Sequence, residues 1–270
     1  MFLLKQLLPG ALAALLVSGL LALAGQLWRA NDCGDALALG IGYTSGHVMA
    51  VGWPGFPPAE ATQWLPYFAL ASMFLAICDA ILRPAPWLRA LVWVCYCVGM
   101  LRLFLSSKFQ YTWSALEGTL WIVGFAAVMV LLAYALDTAA RRDERVPLFL
   151  TIVAGGTGVA LMLSGSLLLA QLAMVLAAAL AAISAIVLVL PRALKARGSV
   201  SVAVALLSSL WLGGYFFAEL PAAAGLLLAF ALVPILMLIA SSDEGTRPKG
   251  HALRITLVIV PVALAVFLAY

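Results

Sequence analysis

The chain has 270 residues, 66% of them hydrophobic and 10% charged, with a mean hydropathy of +1.14. Soluble domains are usually about 45–50% apolar and roughly 25% charged, so a water-soluble globular protein and a disordered chain are both excluded. The formal net charge of +4 does not indicate a nucleic-acid partner, because the 15 Lys and Arg fall in small loop clusters and not along one groove-sized patch.

A membrane-spanning helix needs about 20 mostly apolar residues. Ten segments meet that description: 7–28, 35–52, 64–82, 87–105, 114–136, 148–164, 167–190, 199–217, 222–240 and 253–270. The fold class expected is therefore an all-α, polytopic transmembrane bundle of about ten spans, or nine plus a re-entrant segment. The apolar runs are continuous and do not alternate, which excludes a β-barrel. The longest connection, 241–252, has twelve residues. A single integral-membrane domain over 1–270, with no soluble domain, follows.

The first segment reaches Leu27 almost unbroken, and an uncleaved helix is expected although Ala22-Leu23-Ala24 resembles a signal-peptide cleavage site. The second, 35–52, is unusual for its four glycines and the run Tyr43-Thr44-Ser45-Gly46-His47. Ala38, Gly42, Gly46 and Ala50 recur every four residues, a small-residue strip along which a neighbouring helix can approach closely. Pro54, Pro57 and Pro58 end this segment, in a connection that also carries Trp53, Phe56, Glu60 and Trp64. Pro84 and Pro86 separate the third and fourth spans. Near their ends lie Asp79, Arg89 and Arg102, each about one turn deep; Asp79 is expected to pair with Arg83 at i+4. The stretch 148–190 is too long for one span and splits at Ser164-Gly165-Ser166. Within it, Gly155-Gly156-Thr157-Gly158 lacks the lysine of a phosphate loop and reads as helix packing. Kinks are expected at Pro234 and Pro261.

Orientation follows the basic residues. Eleven Lys and Arg lie in the connections after the third, fifth, seventh and ninth spans, and none in those after the second, sixth and eighth. The basic connections should face the cytoplasm of a cell membrane of the bacterial inner-membrane type, with Tyr270 external. Charge does not decide whether 35–52 crosses or re-enters; its 18 residues give about 27 Å of helix, enough to cross.

Intramembrane ionisable residues are costly and functional by default. His47 is the deepest, with Tyr43 one turn away. By topology the outer rim gathers these two with Glu60, Arg102, Lys108, Glu117 and Glu219, a candidate polar pocket. Cys33, Cys78, Cys95 and Cys97 form no disulfide framework or metal spacing, and two histidines, His47 and His251, make no zinc site. No cofactor motif is present. The reading is a permease-like or lipid/small-molecule-handling bundle with an outward-facing polar pocket. Its alternatives are a non-catalytic subunit packing against a membrane-protein partner or a second copy, and an intramembrane enzyme using His47 with Glu60 or Glu117 as acid and base. The lipid bilayer is the one partner expected in every case.

Overall fold

A computed structural model describes residues 2–27, 31–190, 197–233 and 248–270. Trp28, Arg29, Pro191, Arg192, Lys195, Pro234 and Arg247 lie outside the described residues, as do the side chains of Lys5, Lys249, His251 and Arg254.

The described chain is helical, with no β-strand among the described residues. In order it forms α1 (Phe2–Leu27), α2 (Asn31–Val51), a 3-10 turn (Ala61–Trp64), α3 (Leu65–Leu82), α4 (Pro86–Phe104), α5 (Ser106–Tyr111), α6 (Ala115–Ala140), α7 (Val146–Leu163), α8 (Leu167–Val189), α9 (Arg197–Phe217), α10 (Ala222–Phe230) and α11 (Pro248–Ala269). Local chemistry sets the ends. Pro66, Pro86 and Pro147 stand in the first turns of α3, α4 and α7, where a missing N–H costs nothing. Ser114 and Ser166 cap α6 and α8, accepting hydrogen bonds from the Glu117 and Leu169 N–H groups. Gly165, at φ +85°, turns the chain between α7 and α8.

Among the described residues, seven helices are long and apolar enough to cross a membrane: Leu7–Gly25, Ala61–Leu82, Pro86–Phe104, Ala115–Ala140, Val146–Leu163, Leu167–Val189 and Arg197–Phe217. The expected count of ten is not confirmed. α2 is long enough but carries too many glycines and polar residues to be apolar by composition. The segment 222–240 runs past the described residues, which stop at 233, and α11 is described with its side chains only from Ile255, giving the apolar stretch Ile255–Ala269.

The polar character of α2 is explained by where it sits. It packs against α1, α3, α8 and α9, so most of its surface meets other helices. Its small-residue strip runs antiparallel to one on α1. A Cβ at Gly10 would meet Ala50, one at Gly46 would meet Ala14, and one at Gly42 would meet Ser18. Farther along, the backbones at Gly25 and Gly34 touch. The Ser18 hydroxyl donates to the Ala38 carbonyl at 3.0 Å. Side chains no larger than serine let two backbones approach and gain dispersion contacts, which drive helix association where the solvent is itself apolar. The Gly155–Gly158 run does the same elsewhere: Gly156 abuts Val262 of α11 and Gly158 abuts Met174 of α8. Between them the Thr157 hydroxyl accepts the Trp211 indole N–H at 2.9 Å, joining α7 to α9.

The two ends of the bundle differ in chemistry. At the end where α3, α6 and α10 begin and α4 and α9 finish, aromatic rings pack edge and face. Trp64 stacks on Phe68, Phe68 meets Phe104, Phe104 meets Phe217, and Trp113 meets Phe216, with centroids 5.1–6.3 Å apart. The connection after α2 is pinned there, with the Tyr67 hydroxyl donating to the Pro54 carbonyl at 3.0 Å. At the opposite end, where α3 and α6 finish and α4 and α9 begin, charged side chains gather.

Candidate functional site

Asp137 lies in the last turn of α6, and its side chain is 4% exposed. Three arginines converge on it. Arg89, from the first turn of α4, donates through Nη1 to Oδ2 at 3.2 Å, and Arg141 donates through Nη2 to the same oxygen at 3.1 Å. Arg197, at the start of α9, donates through Nε to Oδ1 at 3.0 Å and through Nη2 to Oδ2 at 3.3 Å. Asp137 thus accepts at least four hydrogen bonds, three of them at Oδ2, where a carboxylate offers about four lone-pair positions in all. Arg89 also reaches Asp79 of α3, Nε to Oδ2 at 3.0 Å. One carboxylate and one guanidinium thus connect α3, α4, α6 and α9 at a single end of the bundle.

The geometry corrects the expectation for Asp79. Arg83 is not its partner. Arg83 terminates α3 in the left-handed conformation, φ 45° and ψ 55°, so its side chain leaves the helix face on which i and i+4 residues meet. Its N–H still bonds the Asp79 carbonyl at 3.1 Å, while the carboxylate turns to Arg89.

Beside this network opens a cavity of about 780 Å³. Its charged wall carries Asp79 and Asp137 with Arg83, Arg89, Arg141 and Arg197, four guanidinium groups against two carboxylates. One to two turns deeper on the same helices the lining is apolar and includes Trp93 of α4 with Val130 and Leu131 of α6. The space exists because α4 packs chiefly against α6 and scarcely touches α3, while Pro84 and Pro86 carry the chain around its mouth. The arginines are not exhausted by the aspartates. Each guanidinium has five N–H donors; Arg141 commits one to Asp137 and is half exposed. Among the described residues Arg83 pairs with no carboxylate, and it is exposed. Such a site can hold an anion against preoriented, partly desolvated guanidinium groups, whose planar forks match carboxylate and phosphate oxygens.

The seven residues singled out in the sequence divide into two groups. Tyr43 and His47 are fully buried within the bundle, with ring centroids 6.1 Å apart. They lie beside the α1 strip; His47 is two turns from Gly40, whose backbone abuts Met73 of α3. Among the described residues the Tyr43 hydroxyl and both His47 ring nitrogens have no hydrogen-bond partner. The other five sit at the aromatic end. Glu60, Arg102, Glu117 and Glu219 are exposed and Lys108 is half-buried. Among the described residues no ion pair joins them. The Arg102 guanidinium lies 4.0 Å from the Phe109 ring centre, and the Lys108 ammonium 5.8 Å from that of Phe217. Glu117 stands in the first turn of α6, where its charge favours the helix N-terminus. The rim cations therefore rest on aromatic faces.

Asp137 escaped sequence reasoning because it follows directly on a span and reads as loop. Arg89 and Arg197 are 48 and 60 residues away from it. The one local signal was the Asp137–Arg141 pair at i+4. Among the described residues no group of three or more His, Cys, Asp or Glu is arranged to hold a metal ion.

No family model, no curated protein and no solved structure matches this chain.

Proposed function

We propose that the chain is a permease-like, small-molecule- or lipid-handling membrane bundle whose ligand is anionic and occupies the cavity at the Asp79–Asp137 end. The observation that carries this reading is the arginine surplus around the buried Asp137. Asp137 holds three guanidinium groups in place at a depth where an isolated cation would be costly, and an anion entering the cavity meets donors already oriented. The clustering of basic residues in the connections at this end supports a cytoplasmic location for the cavity mouth. This moves the ligand site from the aromatic rim, which the sequence favoured, to the other end of the bundle.

Thermal unfolding of the purified protein in detergent tests the reading. The panel is phosphate, citrate, glutamate and an anionic phospholipid, with choline and spermidine as cationic controls. A ligand at about 100 times its Kd adds about 2.7 kcal/mol of stability. At least one anion should raise the melting temperature, the cations should not, and Arg83→Ala should reduce the effect. Absence of stabilisation by every anion in the panel overturns the reading.

A further inference from the structure

We infer that the ligand is an anionic amphiphile, held by a phosphate-class head group against the arginines with its tail along α4 and α6; this inference rests on the cavity reading above. Three observations lead there. First, the lining is of two kinds. Guanidinium groups from α3, α4, α6 and α9 gather at one end, and Trp93, Val130 and Leu131 line it one to two turns deeper on α4 and α6. A small hydrophilic anion has no use for the deeper part, and an apolar solute has none for the charged part. Second, the volume of about 780 Å³ greatly exceeds what a bare phosphate fills and lies in the range of sites for whole organic ligands. Third, the apolar lining continues onto the outside of the bundle. Leu131 and Tyr134 line the cavity yet are 68% and 70% exposed, so they reach the surface that lipid chains would cover. A tail can run out along α6 past Leu131 and Tyr134 without being pulled into water.

The head-group assignment follows from the directions of approach. Donors arrive from several helices, and a phosphate-class head group accepts on tetrahedrally arranged oxygens, so guanidinium groups from different directions can reach it without sharing one plane. Arg83 is the guanidinium best suited to the ligand. Among the described residues it is bound to no carboxylate, and it occupies a left-handed backbone conformation that a non-glycine residue rarely adopts. A cation near such a surface contributes about 1 kcal/mol to anionic-lipid binding, or roughly fivefold in affinity.

The test is native mass spectrometry of the delipidated protein in detergent. Titrants are dioleoyl phosphatidylglycerol, dioleoyl phosphatidylcholine and sn-glycerol 3-phosphate, against wild type, Arg83→Ala and Ala90→Trp. Arg83 and Ala90 are both exposed residues of the cavity wall, so the substitutions leave the helix packing intact. Phosphatidylglycerol should bind about tenfold or more tightly than phosphatidylcholine, whose tails are the same. Arg83→Ala should weaken it roughly fivefold, and Ala90→Trp, which fills the cavity, should weaken it further. Glycerol 3-phosphate should bind much more weakly than the lipid. Equal affinity for the two lipids, or indifference to both substitutions, overturns the inference. Tight glycerol 3-phosphate binding that Arg83→Ala abolishes also overturns it, but leaves an anion-binding cavity standing. Failure of every anion to bind removes both.

Discussion

Replacing Gly46 by alanine inserts one methyl group into the seam between α1 and α2. The new Cβ would stand 2.6 Å from Val175 Cγ1, 2.7 Å from Ala14 Cβ and 2.7 Å from the Gly10 carbonyl oxygen. Carbon atoms in contact prefer about 3.5–4.0 Å, so α1 must retreat by nearly 1 Å or the methyl must strain against it. Val175 can rotate away. Ala14 and the Gly10 backbone cannot, and the retreat also loosens the neighbouring Ser18–Gly42 and Gly10–Ala50 contacts. Overpacking of this kind costs about 1–3 kcal/mol, and with two rigid neighbours the upper half of that range applies. The gain in helix propensity from glycine to alanine returns about 1 kcal/mol, leaving a net loss of about 1–2 kcal/mol. Gly99 of α4 and Gly124 of α6 supply the control, because a Cβ at either meets nothing within 4 Å. There the same substitution should be neutral or mildly stabilising. Heating purified variants in detergent and measuring the monodisperse fraction should place Gly46→Ala several degrees below Gly99→Ala and Gly124→Ala, with Gly46→Leu lower still. Equal melting temperatures for Gly46→Ala and Gly99→Ala would refute the close antiparallel packing.

Three further outcomes are expected. Asp137→Ala leaves Arg89 and Arg197 facing each other without their shared carboxylate, and should cost about 3–5 kcal/mol, read as a sharp loss of folded yield; Arg141→Ala, at a half-exposed position, should cost no more than about 1 kcal/mol. His47→Ala removes two buried nitrogens that have no hydrogen-bond partner among the described residues, which offsets part of the lost packing, so its thermal stability should stay well above that of Gly46→Leu; unfolding as severe as Gly46→Leu would assign His47 a structural hydrogen bond. A cytoplasm-active reporter fused after residue 144 and a periplasm-active one fused after residue 219 should both be active, and activity of a periplasmic reporter at 144 would invert the topology.

The bundle was legible in the sequence wherever one residue type decides a local outcome. Prolines marked the starts of α4 and α7, Ser164-Gly165-Ser166 marked the turn before α8, and period-four small residues marked the packing face of α2. In α2 that strip is the contact surface of a helix packed against four others, which need not be apolar. Long-range pairing hid the Asp137 network, since nothing local ties residues 89 and 197 to 137. The misplaced Asp79 partner has a related cause. The i+4 rule presumes a continuing helix, and at Arg83 the backbone turns left-handed.

The most direct measurement is a cryo-electron microscopy map of the full chain, carried by a rigid fiducial in phosphatidylglycerol nanodiscs. The map should show Asp137 bridged to Arg89 and Arg197, and elongated density in the cavity with its head at Arg83 and its tail along α6 past Leu131 and Tyr134. Density confined to the aromatic rim around Glu60 and Glu117, or α4 closed against α3 with the cavity gone, would contradict it.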